Sequence, residues 1–242
     1  MTTMSKKNSK LMLIRCNLSL PLHPTLLLPL QMTIAQPPNL ERIIFIDYVG
    51  KVHTGPAGDP CGDGSGKFRT ISGGLRWLSS SFPVSYFIDP AGSGLDAAST
   101  TSAVVNAFNT WDAQEHPAGT FFTSTSSASG AEITVAWEGM DGSGGALATA
   151  SILYNPATKA IVHVDIRFDS GDSWFVSTNP NQCTSVGGSF DIENVAAHEI
   201  GHSVGLGHAS DSRLTMYQYA SPGETLKRSL GVGDQKGLDK LY

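Results

Sequence analysis

"HEIGHSVGLGHASDSRLTMY", residues 198–217, holds three of the chain's seven histidines within eleven positions. His198 and His202 are four apart, so on a helix they stack on one face and can grip one ion together. Glu199 lies beside that face but out of line with it. Gly205 accepts a positive φ without steric cost, which ends the helix and turns the chain. The turn then swings His208 back toward the same ion. Three neutral imidazoles leave a fourth position for water, the pattern of a catalytic zinc site rather than a structural one. The opposing reading is three core or surface histidines that happen to be close. Five identities fixed together as HExxHxxGxxH arise by chance in on the order of one chain in 10^5, so the zinc reading wins.

That arrangement implies a chemistry. Zinc would lower the pKa of a bound water from about 15.7 toward ~7. Glu199 would take the proton as general base and pass it to a leaving amine. The cation would also stabilise the oxyanion of a tetrahedral intermediate. The expected activity is peptide-bond hydrolysis. The alternative from another class is a non-catalytic zinc-binding domain acting as a secreted binding protein.

The surroundings set the frame. The chain has 242 residues, 40% hydrophobic and 15% charged, which reads as globular. Its net charge of −5 argues against a general nucleic-acid binder. No apolar run approaches the roughly 20 residues of a membrane span. Protein or peptide is the expected partner, and a monomer the expected state. Residues 1–40 run from basic (Lys6, Lys7, Lys10, Arg15) through the leucine-rich stretch 18–35 to small residues, the order of a signal peptide. Pro21, His23, Pro24 and Pro29 interrupt it, so a poorly ordered extension is the other reading. Residues 41–66, ending in the Gly/Pro-rich 56–66, are expected to link this leader to a domain over 67–242.

Within that domain, 82–88, 119–124, 131–137, 147–155 and 160–168 read as strands. Residues 95–113 read as a helix with Val104, Val105, Phe108 and Trp111 on one stripe. In 160–168, Val162, Val164, Ile166 and Phe168 are expected on one face and His163, Asp165 and Arg167 on the other. Residues 190–205 read as a helix with Asp191 as N-cap, and a last helix starts near Asp234. Strands with a few segregated helices predict an α+β fold.

HExxHxxGxxH followed by Met216 in "LTMYQY" resembles the metzincins, where the methionine floors the three ligands. Within that clan "GLGHASD", "LTMYQY" and the closing "GDQKGLDKLY" resemble the matrixins, the matrix-metalloprotease-type family. The resemblance implies a twisted mixed five-stranded sheet with a long helix, an active-site helix and a C-terminal helix. It implies one catalytic zinc and secretion.

"MDGSGGALATA" (140–150) resembles the matrixin calcium loop, which implies a calcium held by Asp141, Gly142, Gly144, Ala146, Asp169 and Asp172. An ordinary Gly-rich turn with solvated aspartates is the alternative. Thr149 and Arg167 stand where matrixins often carry histidines for a second zinc, so a single zinc is expected, with His163 isolated and solvent-facing. The resemblance further implies that Leu147 and Ala148 lie on an edge strand that pairs with extended substrate. Tyr217 to Tyr219 would wall the pocket for the side chain after the cut. Cys61 resembles the inhibitory cysteine of matrixins, which would make a latent enzyme. A Cys61–Cys183 disulfide is the other reading and suits a secreted protein. Cys16 would leave with a leader.

Overall fold

The computed structural model describes residues 39–50, 64–114, 119–178 and 187–242. Cys16, Cys61 and Cys183, and nearly all of the leader, lie outside the described residues.

Eleven strands are described: β1 Glu41–Val49, β2 Arg69–Thr70, β3 Val84–Ile88, β4 Phe122–Ser124, β5 Ile133–Glu138, β6 Ala146–Asn155, β7 Ala160–Asp169, β8 Trp174–Phe175, β9 Phe190–Asp191, β10 Leu206–Gly207 and β11 Tyr219–Ala220. The helices are α1 Ala97–Asp112, α2 Ile192–Ser203 and α3 Val232–Leu241. The main sheet has seven strands in the order β11-β1-β6-β7-β5-β3-β4. Its β6-β7-β5-β3-β4 portion is the expected mixed five-stranded sheet, with β6 antiparallel to β7 and the other pairs parallel. β1 and β11 extend it beyond β6.

β1 is the first correction. Residues 41–49 were expected in a linker, yet they form a nine-residue strand paired antiparallel with β6 over Glu41↔Tyr154 to Tyr48↔Ala146. The sequence "ERIIFIDYV" is rich in β-branched and aromatic residues, which suit a pleated surface. Its partner lies about a hundred residues away, so only the folded chain reveals the pairing.

β7 holds the second correction. Leu153 pairs with His163 and Tyr154 with Ile161, so Val162 is squeezed out as a bulge. Val162 is therefore exposed at 42%, and Ile161 takes its place in the core. Val164, Ile166 and Phe168 are buried as expected. His163 is not isolated either. It is half-buried and bonded to Asp165 (3.3 Å), which also receives Thr134 (2.7 Å) and Arg167 (2.8 Å). The His163 bond, with Thr134 and Arg167, holds the Asp165 carboxyl well below the ordinary range. Thr149 and Arg167 face each other across β6 and β7 in this same charged patch.

The helices pack under the sheet for local reasons. Asp96 caps α1 by accepting from Ser99 N (2.9 Å), and Asp191 caps α2 by accepting from Asn194 N (2.8 Å). The predicted α1 stripe holds for Val104, Phe108 and Trp111, with Val105 at its margin. Burying a side chain such as Phe108 contributes roughly 2–3 kcal/mol. Two indoles also fix the position of α2: Trp111 donates to Ala197 O (2.8 Å) and Trp77 to Ser203 O (2.8 Å).

Two glycines are dictated by this packing. Gly201 is the point where α2 rides over Trp111 and Met216; a Cβ there would sit 2.1 Å from Met216 Sδ. Gly205 closes the helix with φ +98°, and a Cβ would meet Leu75 O at 2.0 Å. Gly205→Ala should therefore cost about 2 kcal/mol or more. Thermal unfolding should register a fall in Tm of roughly 4–8 °C, and an unchanged Tm would refute this reading of the helix exit.

Candidate metal centre

The elements just described deliver the expected imidazoles to one place. α2 carries His198 and His202 on its buried face; the Gly205 turn and β10 return the chain so that His208 closes on them. Donor atoms of all three lie within 4.8 Å of one another. His198 and His202 are fully buried and His208 half-buried.

The ring orientations are fixed by the backbone. His198 Nδ1–H donates to Thr215 O (2.7 Å) and His202 Nδ1–H to Leu206 O (2.7 Å). Each therefore presents an unprotonated Nε2 inward, the second-sphere arrangement that orients metal-binding histidines. Their Nε2 atoms are 3.1 Å apart. Two nitrogens at 2.0–2.1 Å from a tetrahedral zinc would be separated by about 3.3 Å. His208 Nε2 is buried with no hydrogen-bond partner. Three lone pairs converging without donors is what a cation requires. Burial, with the Lys227 charge, pushes His198 well below its usual value and His208 down to about 4. Burial and the neighbouring His208 do the same for His202. All three are neutral at physiological pH, the form that binds metal.

The floor is built from the C-terminal side. The Asp234 carboxylate accepts from Thr215 N (2.8 Å), Met216 N (3.2 Å) and Gly231 N (2.9 Å). It thus joins the start of α3 to the turn whose Thr215 carbonyl orients His198. Met216 is buried beneath α2, and its carbonyl accepts from Ala209 N (2.7 Å), next to His208. Met216 thus lies buried against Gly201 of α2. Nothing in the sequence flagged Asp234 as its anchor.

Glu199 is fully buried, and neither carboxylate oxygen has a hydrogen-bond partner. Burial raises its pKa well above the ordinary range; nearby Asp47 adds to the rise and Lys227 opposes it. A second group of donor atoms within 4.8 Å joins Asp47, His198 and Glu199.

Asp47 belongs to β1, and here the expected free edge is corrected. Ala148 of β6 pairs with Asp47, and Leu147 falls in the register shift beside it, both fully buried. On its other side β1 runs parallel to β11, with Tyr48↔Tyr219 and Val49↔Ala220 in register. Tyr48 N donates to Gln218 O (3.4 Å), Val49 N to Gly145 O (3.1 Å) and Gly50 N to Ala220 O (2.8 Å). Phe45 stacks on His202 with ring centroids 4.1 Å apart and meets His208 edge-on at 5.4 Å. β1 therefore lies across the histidines, between β6 and the Tyr217–Tyr219 segment. Tyr217 and Tyr219 stand together at 5.7 Å.

Backbone N–H groups of the Gly-rich loop and of the turn after β7 hold three aspartates. Asp169 accepts from Met140 N, Gly142 N and Gly171 N at 2.8–3.2 Å. Asp141 accepts from Ala146 N (3.1 Å) and Asp172 from Gly144 N (3.0 Å). Asp172 Oδ2 is buried without a partner, and burial, with the charges of Asp169 and Asp141, raises its pKa. Among the described residues these carboxylates do not meet within 4.8 Å as the histidines do.

Comparison with known proteins agrees with the geometry. The matrixin family profile matches residues 76–242. Metalloendoproteinase 1 of Glycine max is 33% identical over 175 residues, covering 69% of this chain and 52% of its own length. Metalloendoproteinase 2-MMP of Arabidopsis thaliana is 29% identical over 181 residues, 73% of this chain and 45% of its own length. Neutrophil collagenase of Homo sapiens is 28% identical over 186 residues, 74% of this chain and 36% of its own length. The chain thus spans about half, or less, of the length of these relatives. With the profile covering more than two thirds of the chain and the histidines converging as described, the protein belongs to the matrixin family.

Proposed function

We propose that the chain is a secreted, zinc-dependent endopeptidase whose cleft is occupied by β1 in the form described here, so that a substrate competes with β1 for it. The observation that carries this is the convergence of three imidazoles, two turned Nε2-inward by Nδ1–H bonds to backbone carbonyls and the third with an unpartnered buried Nε2, beside an unpartnered buried carboxylate. His198, His202 and His208 would hold the zinc. Zinc bound there supplies Lewis-acid chemistry, acidifying a water and polarising a carbonyl.

The rest of the chemistry belongs to side chains of this chain. Glu199 accepts the proton of the attacking water on a carboxylate oxygen and delivers it to the nitrogen of the departing amine. Its burial favours the protonated form, which makes it a capable proton donor in the second half of the cycle. β6 and the 217–220 segment accept an extended backbone between them, as they accept β1, with Leu147 and Ala148 on one side and Tyr217 and Tyr219 on the other. Because β1 fills that cleft, a substrate must displace it. The order basic, apolar, small in residues 1–40 supports export.

Loaded with zinc, the full chain should cleave a mixed peptide library, and a chelator should abolish cleavage. Glu199→Ala should lower turnover by roughly 10²–10⁴-fold while retaining one zinc per chain. Phe45→Ala, which removes the ring lying on His202, should raise turnover by loosening β1. Cleavage indifferent to both chelation and Glu199→Ala would end this reading.

The unpartnered Asp172 oxygen supports a calcium at the loop formed by Asp141, Gly142, Gly144, Ala146, Asp169 and Asp172. Calcium at 100 times its dissociation constant should stabilise the fold by about 2.7 kcal/mol. Asp172→Ala should remove that stabilisation in a thermal melt. A Tm insensitive to calcium in the unsubstituted protein would leave the loop an ordinary turn.

A further inference from the structure

One buried charge has no part in the chemistry above. Lys227 is fully buried, and its Nζ has no hydrogen-bond partner. Desolvating an ammonium costs several kcal/mol unless an anion compensates it. Among the described residues its ion-pair partner is Asp47, with Nζ 3.9 Å from Oδ2, also fully buried. Neither Asp47 oxygen has a well-formed hydrogen bond.

The location gives this pair its meaning. Asp47 places a carboxylate oxygen within 4.8 Å of donor atoms of His198 and Glu199, and the next residue, Tyr48, donates its N–H to Gln218 O in the 217–219 segment. Lys227 meets Asp47 beside those groups, and its backbone is held by its neighbours. Its N–H donates to Asn194 Oδ1 (2.7 Å) on α2. Arg228 is clamped to Asp191 by two bonds (2.8 and 2.5 Å) and pairs with Glu193 at 3.3 Å. The backbone that carries the ammonium is thus tied to α2, the helix of the first two metal ligands. Of the nearby acids, Glu224 accepts from Ser221 N (3.1 Å) and contacts Asn194 Nδ2 (3.5 Å), while Glu199 faces the metal ligands.

We propose that Lys227 is a specificity-determining residue: the pocket for the side chain after the cut ends in its ammonium and selects Asp or Glu. β1 offers Asp47 to that pocket as an internal occupant. When β1 leaves, the buried cation is left without its partner, and an acidic substrate side chain restores it. A neutral or apolar side chain would leave the charge uncompensated, so discrimination comes from the penalty on wrong substrates as much as from attraction to right ones. This inference rests on the endopeptidase reading.

The test uses the zinc-loaded full chain and a mixed peptide library, with sequencing of the new N-termini. β1 competes equally with every peptide, so preferences survive its presence. Asp and Glu should dominate the residue after the cut, and kcat/KM for an Asp peptide should exceed that of its Asn counterpart by roughly tenfold or more. Lys227→Met should erase the Asp/Asn difference and shift cleavage toward apolar residues. Should that variant not fold, the Asp/Asn ratio of the unsubstituted protein decides alone. Predominant cleavage before Leu, Ile or Phe would overturn the proposal while leaving the endopeptidase reading intact. If nothing is cleaved, the endopeptidase reading fails, and affinity of the Glu199→Ala protein for the same Asp and Asn peptides decides whether Lys227 selects acids. Equal affinity for the two would overturn it.

Discussion

Desolvation of the three imidazoles is the constraint from which the rest of the structure follows. Burying three basic nitrogens with nothing to donate to them is costly unless a cation occupies the space they share. Rigidity is needed as well, because nitrogens about 3 Å apart hold a metal only if their rings cannot turn away. The backbone supplies that rigidity through Thr215 O and Leu206 O, each fixing one Nδ1–H. Thr215 is fixed in turn by Asp234, which caps α3. Trp77 and Trp111 lock the carbonyl side of α2. The closing helix is thus part of the support of the metal centre, although it lies some thirty residues from the first ligand.

The same burial shapes the electrostatics of the cleft. Asp47, Glu199 and Lys227 are all fully buried within a small region. Burial pushes the Asp47 carboxyl up to about 7, against the pull of Lys227. A dry cleft strengthens each of these interactions and makes every unmatched charge expensive. β1 fits because it supplies backbone pairing on both edges, an aromatic ring over His202 and an acid opposite the ammonium. An incoming peptide must offer comparable contacts to displace it.

The sequence made some of this plain and hid the rest for identifiable reasons. α2, its Asp191 cap and the Gly205 exit were readable because ligand spacing, helix period and backbone conformation converge on one segment. β6 and β7 were readable from alternation, except at Val162, where a bulge set by cross-strand register overrode the pattern. His163 looked isolated because its partners Asp165, Thr134 and Arg167 meet it only through sheet pairing. β1 carried a strand-like composition, but its place across the histidines depends on β6 and β11, far along the chain. Asp234 was legible as the start of the last helix but not as the anchor of the Met216 turn, and Lys227 in "ETLKRS" carried no local signal; only the fold buries them. Motifs that act within one helical turn are legible in sequence, whereas charges that act across the fold are not.

The most direct test is the coordination of zinc in the purified full chain by X-ray absorption. The account predicts one zinc per chain with three imidazole nitrogens at about 2.0–2.1 Å, falling to two in a His208→Ala variant. Zinc held by fewer than three imidazoles in the unsubstituted protein, or bound equally well after His208→Ala, would contradict it.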